Sequence, residues 1–217
     1  MDFQWQLFLD ALPLLAQGAL VTAQLTAASF AFGLILGTAG GLARISKNPL
    51  LSGIATVYVT LLRGVPLLVT LMFLYYGLPS AGIQLSAFTV GILALALTNG
   101  AYVTEIVRSG IQSIEPGQMR AARSLGMSYS RAMRRIILPQ ALRRVLPPLT
   151  NELITLLKNT SLVSTIALTE LLRVGMEIMT WKANTFSPFA GVALFYLCMT
   201  LPMQWVNQKV EQKFRIR

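Results

Sequence analysis

The chain has 217 residues, 54% of them hydrophobic and only 12% charged, with a formal net charge of +10. That is about half the usual charged fraction of a soluble domain, and eight acidic against 18 basic residues cannot clothe such a domain in charges of mixed sign. The basic residues flank apolar runs, which argues against a nucleic-acid partner and for a membrane protein.

Uncharged runs of 33 residues between Asp10 and Arg44, 41 between Arg63 and Glu105, and 26 between Lys182 and Lys209 set the architecture. A bilayer core about 30 Å thick needs roughly 20 apolar helical residues. The expected fold is an all-α membrane protein, one transmembrane domain over residues 1–217. About five transmembrane helices are placed near residues 14–43, 54–76, 87–108, 136–158 and 188–208, with a two-helix cytoplasmic loop at 115–139.

The first run is headed by Asp2 and Asp10 without a Lys or Arg, so it is expected to be a retained span rather than a signal peptide. Its length allows it to tilt or to leave the bilayer. The 41-residue run breaks at residues 76–82, where Gly77, Pro79 and Gly82 cluster, and reads as two helices. In the loop that follows, Pro116 and Gly117 make a turn, residues 118–125 suit a short helix, and Gly126 suits its C-cap. Ser128 is an N-cap for a second helix through Ile137. The small residues Ala121 and Ala122 would let a docking partner approach closely.

The segment 136–158 contains Arg143, Arg144, Glu152 and three prolines, Pro139, Pro147 and Pro148. Carbonyls freed by proline are tolerated in a membrane where protein or water satisfies them, so this is expected to be the irregular interior helix. Residues 161–181 are amphipathic. A sixth span there would carry the basic tail outside, so an outer surface or re-entrant helix is expected. The single Cys198 offers no disulfide framework or metal site, and the chain has no histidine.

Orientation follows from the cations, which favour the cytoplasmic side. With the N-terminus outside, 14 of the 18 fall on inner segments: Arg44 and Lys47, then eight arginines from Arg108 to Arg144, then Lys209, Lys213, Arg215 and Arg217. Arg173 and Lys182 fall outside.

The loop resembles the "EAA" loop of ABC importer permeases, Glu-Ala-Ala-x3-Gly-x9-Ile-x-Leu-Pro. Ala121, Ala122, Gly126, Ile136, Leu138 and Pro139 match its spacing, while Arg120 stands where the family usually has the glutamate. The stretches beginning Arg63-Gly-Val-Pro, Asn99-Gly-Ala-Tyr, Arg108-Ser-Gly-Ile and Leu157-Lys-Asn-Thr look like the polar amino-acid branch. The resemblance implies that the loop, including Arg120 and Leu125, inserts into an ATP-binding subunit and transmits its closure. It further implies two such subunits holding ATP and Mg2+, an extracytoplasmic amino-acid-binding protein, a second permease copy or sister permease, and a bacterial inner membrane. The chain itself is expected to bind no cofactor and no metal and to be no ATPase: no Lys follows a Gly, so the phosphate loop is absent.

Ionisable groups inside a membrane usually face the bundle interior. Pro148, Glu152, Thr155 and Asn159 share one helix face, and Thr98, Tyr102 and Glu105 share another, with Asn99 adjacent. Thr98, Asn99, Tyr102, Glu152, Thr155 and Asn159 are the candidate substrate contacts, Glu152 for an ammonium group. For Glu152 a buried structural pair stands beside that reading. Glu105 is expected to pair with Arg108, Arg63 to anchor helices or subunits, and Lys158 to reach the outer surface. Tyr75, Tyr76, Trp181 and Trp205 read as interfacial aromatics. The rival reading is an ion-coupled secondary transporter, which often carries paired repeats with broken helices in both halves. Only the fourth span looks broken here, and an intramembrane enzyme lacks HExxH, GxSxG and histidine.

Overall fold

A computed structural model describes residues 3–214, all helix and connecting turns; Asp2, which heads the first uncharged run, and Arg215 and Arg217, counted among the inner cations, lie outside the described residues. Helix α1 (Trp5–Arg44) is followed by α2 (Pro49–Gly64), α3 (Leu67–Met72), a π-turn (Phe73–Gly77) and the single turn α4 (Leu78–Ser80). Then come α5 (Ala87–Gln112), α6 (Pro116–Ser124), α7 (Tyr129–Ala132), a second π-turn (Met133–Ile137), α8 (Leu138–Asn159), a 3-10 segment (Thr160–Ile166), α9 (Leu171–Lys182) and α10 (Phe186–Phe214).

At about 1.5 Å per residue the 40 residues of α1 run some 60 Å, twice the hydrocarbon thickness. The helix starts well before residue 14 because its first turns are packed. Ala11 and Leu15 are buried against α9 and α10, and the Gln4 amide donates to Ser187 Oγ at 2.8 Å. Pro13 lies inside it without ending it.

The expected second span, 54–76, is corrected: it is two helices whose axes bend by 102°. Pro66 has no amide proton to continue α2 and forces the preceding Val65 into extended backbone (φ −100°, ψ 131°). Among the described residues α1, α5 and α10 are each long and apolar enough to cross a membrane, and the bent pair would make a fourth. Helix α8 is not in that set, since it carries Arg143, Arg144, Glu152 and Lys158. It depends instead on burying Ala141, Val145, Ile154, Leu156 and Leu157 against the other helices.

Helix α5 is the central element, with fourteen buried residues. Its contact with α1 is close because glycines face it. A Cβ at Gly37 would lie 2.4 Å from Val103 Cβ, and one at Gly33 would lie 2.3 Å from Asn99 Oδ1. Small residues permit this approach in a membrane, where packing and hydrogen bonding replace the hydrophobic effect between helices. Towards the expected outer end, Glu170 caps α9 with its fully buried carboxylate, accepting from the amides of Leu172 and Arg173 at 3.0 and 2.8 Å. It also accepts from Thr22 Oγ1 at 3.4 Å and the Tyr196 hydroxyl at 3.5 Å, so one side chain joins α1, α9 and α10. Residues 161–181 thus contain a 3-10 segment and most of the short helix α9.

Candidate functional site

The sequence at 95–102 places Leu95, Thr98, Asn99 and Tyr102 on one side of α5, and 152–159 places Glu152, Thr155, Leu156 and Asn159 on the facing side of α8. All eight, with Leu67 of α3, line one cavity of about 160 Å³. The break at Gly64-Val65-Pro66 turns the start of α3 back over it, which is how Leu67 comes to form a wall. The six sequence-predicted polar residues therefore meet at one place.

Asn99 Nδ2 donates to Glu152 Oε1 at 3.1 Å, joining α5 to α8. Asn99 is 2% exposed, and its Oδ1, which faces Gly33 of α1, accepts no hydrogen bond. Thr98 Oγ1 is likewise buried without a partner. Buried polar atoms left unpaired cost about 1–3 kcal/mol each, and most are satisfied, so these two atoms on α5 are exceptions beside the cavity.

Sequence reasoning missed three apolar wall residues, Leu67, Leu95 and Leu156, whose polarity carries no signal. Arg63, expected as an anchor, does not line the cavity; its guanidinium lies 5.1 Å from the centre of the Tyr102 ring. Pro148 and Glu105, which shared the helix faces in sequence, do not line the cavity. Glu105 instead gathers three arginines. Arg108 meets it at 2.7 Å as expected from the i,i+3 spacing, Arg44 reaches it from the end of α1 at 3.3 Å, and Arg63 from the end of α2 at 4.0 Å. Arg44 also donates to Thr56.

The loop at 115–139 contains the short helix α6 and then α7. Gly126 has φ +80°, the left-handed cap that ends α6, and Ser128 Oγ accepts from the Arg131 amide at the start of α7. Arg120, Ala121, Leu125, Gly126 and Pro139 are exposed, Leu125 to 83%. Ile136 and Leu138 are half-buried against Val103, Val107 and Ile111. Ala122, expected beside Ala121 as a place of close approach, is 2% exposed in this chain. The second loop helix is also no separate element, because the π-turn carries it into α8. Among the described residues no three His, Cys, Asp or Glu side chains cluster as a metal site.

Residues 29–216 match the family described as binding-protein-dependent transport system inner membrane component. The glutamine transport system permease protein of Escherichia coli K12 is 36% identical over 218 residues, covering all of both chains. The arginine transport system permease protein of Bacillus subtilis 168 is 34% identical over 99% of both. A crystal structure of an amino acid ABC transporter with histidines superposes with a TM-score of 0.93 at 37% identity, covering 98% of this chain and all of that one. A methionine ABC transporter in an inward-facing conformation shares the fold, with a TM-score of 0.78 at 19% identity over 94% and 97% of the two chains.

Proposed function

The chain belongs to the family of binding-protein-dependent transport system inner membrane components, and from that premise we propose that it is the permease subunit of an ATP-driven ABC importer carrying a polar amino acid across the inner membrane. The observation that carries the substrate class is the convergence of Thr98, Asn99, Tyr102, Glu152, Thr155 and Asn159 on one cavity. An amino acid is a zwitterion, and this cavity has a carboxylate in its wall, with the Arg63 guanidinium over the ring of its lining residue Tyr102. Glu152 receives the ammonium group, oriented by the Asn99 amide at 3.1 Å. Arg63 receives the carboxylate, for which its planar fork is suited. Thr98, Thr155 and Asn159 supply hydrogen bonds to the polar side chain. The volume of about 160 Å³ lies below the roughly 300–1,000 Å³ of drug-sized pockets and suits one small molecule.

In this reading the N-terminus is outside and the C-terminus cytoplasmic, and the chain works as a dimer with itself or a sister permease. Two ATP-binding subunits sit beneath Arg120, Ala121, Leu125 and Gly126, and their closure moves α8 through the continuous α7, π-turn and α8 segment. Because the lower wall of the substrate cavity is α8 itself, a push at residues 129–138 reaches Glu152 without an intervening loop. ATP and Mg2+ are held by those partners, and an extracytoplasmic binding protein delivers the substrate.

The test is uptake in proteoliposomes containing the chain with its ATP-binding partner. Glu152→Gln should assemble normally yet lose uptake by roughly ten- to a hundredfold, the worth of a charged hydrogen bond of about 1.5–3 kcal/mol. Gly126→Arg should lose the ATP-binding partner from the purified complex. Uptake by the chain alone, without ATP, would replace this reading with ion-coupled transport.

A further inference from the structure

On the other flank of α5 from the substrate cavity, α1 and α8 diverge and leave an apolar groove of about 700 Å³. Leu34 and Leu42 form one wall, Leu142 and Leu146 the other, and Val107 the floor. Of its thirteen lining residues only Thr38 and Arg134 are polar, and none is acidic. Leu42 and Leu142 are 47% and 56% exposed, so the groove is open at the side.

Its length is close to the depth of one membrane leaflet, with Arg143 and Arg144 on the same stretch of α8 but outside the lining. From Leu138 to Leu149 the wall on α8 rises about 16 Å at roughly 1.5 Å per residue, close to half of a hydrocarbon core about 30 Å thick. Arg134 lies at one end only, on the exposed π-turn between α7 and α8, with exposed Arg131 and Arg135 beside it. Glu115 is the one acidic residue between Glu105 and Glu152, so nothing nearby neutralises these cations within the segment. A helix from another protein would have no reason to stop at one leaflet's depth or to require a cation there. A hydrocarbon chain with an anionic head requires both.

We propose that this groove is a binding site for an anionic phospholipid of the cytoplasmic leaflet, with an acyl chain between α1 and α8 and its phosphate on Arg134. Clustered cations at the cytoplasmic surface attract anionic headgroups at about 1 kcal/mol each, and the apolar walls add specificity of place. Leu138 and Pro139 belong both to the groove wall and to the coupling motif, so the lipid rests against the joint that transmits partner closure.

The experiment reconstitutes the complex in bilayers of mixed phosphatidylcholine and phosphatidylglycerol, extracts it gently and counts retained lipids by native mass spectrometry. Wild type should retain phosphatidylglycerol in preference to phosphatidylcholine. Arg134→Lys should keep the preference, and Arg134→Gln should lose it. Leu142→Trp, at an exposed position where the ring fills the groove, should lose the retained lipid. Equal retention of both lipids, or a preference unchanged in Arg134→Gln, would show unselective boundary lipid and overturn the proposal. So would Leu142→Cys cross-linking between two copies in a Cys198→Ser background, which would make the groove a protein interface. None of these readings needs transport, so they stand or fall separately from the uptake test.

Discussion

At the scale of single residues, Asn99 is the position on which most depends. It lies on α5, donates to Glu152 on α8, and presses its oxygen towards α1 at Gly33. Gly33 is therefore a substrate-site residue at one remove: it touches no part of the cavity, yet any side chain there must displace Asn99. Gly33→Ala is expected to raise the KM for uptake roughly tenfold, equivalent to about 1.4 kcal/mol, with the complex still assembled. Gly53→Ala, where an added Cβ meets nothing within 4 Å, is the control and should leave KM unchanged. An equal loss of assembled complex in Gly33→Ala would show the glycine to be packing alone.

Among elements, α5 separates two uses of half-buried charge. Glu152 has one fixed partner and a cavity in front of it, whereas Glu105 is held by Arg108, Arg44 and Arg63 and ties the end of α1 and the end of α2 to α5. Exposed ion pairs are worth about 0–1 kcal/mol each and buried ones more, and this partly exposed network lies between. Glu105→Gln is thus expected to lower the thermal stability of the complex, on the order of 1–2 kcal/mol, as measured by unfolding in detergent. Glu152→Gln should unfold close to wild type while failing in transport. If the two variants destabilise alike, Glu152 is a structural pair and the substrate assignment fails. The i,i+3 spacing of Glu105 and Arg108 was legible in the sequence. Arg44 and Arg63 were not, because their approach depends on the turn after α1 and the bend after α2.

For the molecule as a whole, the cavity, the loop at 115–139 and the apolar groove all meet on α8, with α5 behind them. The loop projects Leu125 with 83% of its surface exposed, an exposure that a lone chain gains nothing from. Isolated exposed apolar residues are ordinary, but one at the tip of a capped turn in a basic loop is the natural anchor of an interface. Leu125→Asp is expected to reduce co-purification of the ATP-binding partner at least tenfold, about 1.4 kcal/mol, without lowering the chain's own melting temperature. Retained co-purification would move the contact to other exposed loop positions such as Arg120 or Ala121.

What the sequence alone determined is what local chemistry can determine. Uncharged runs gave a helical membrane protein, Gly126 and Ser128 gave the loop its caps, and helical spacing grouped Glu152 with Thr155 and Asn159 and Thr98 with Tyr102. Each of these depends on residues within a turn or two, or on the thickness of a bilayer. Tertiary structure alone decided the rest: that the second span bends by 102°, that Ala122 faces inward, that α7 runs on into α8, and that Arg63 comes over the Tyr102 ring. A proline marks where a helix stops but not the direction in which the chain resumes. That direction is set by which faces of distant helices pack closely, and here Leu71 of α3 is buried with Val90, Ala94 and Leu95 of α5.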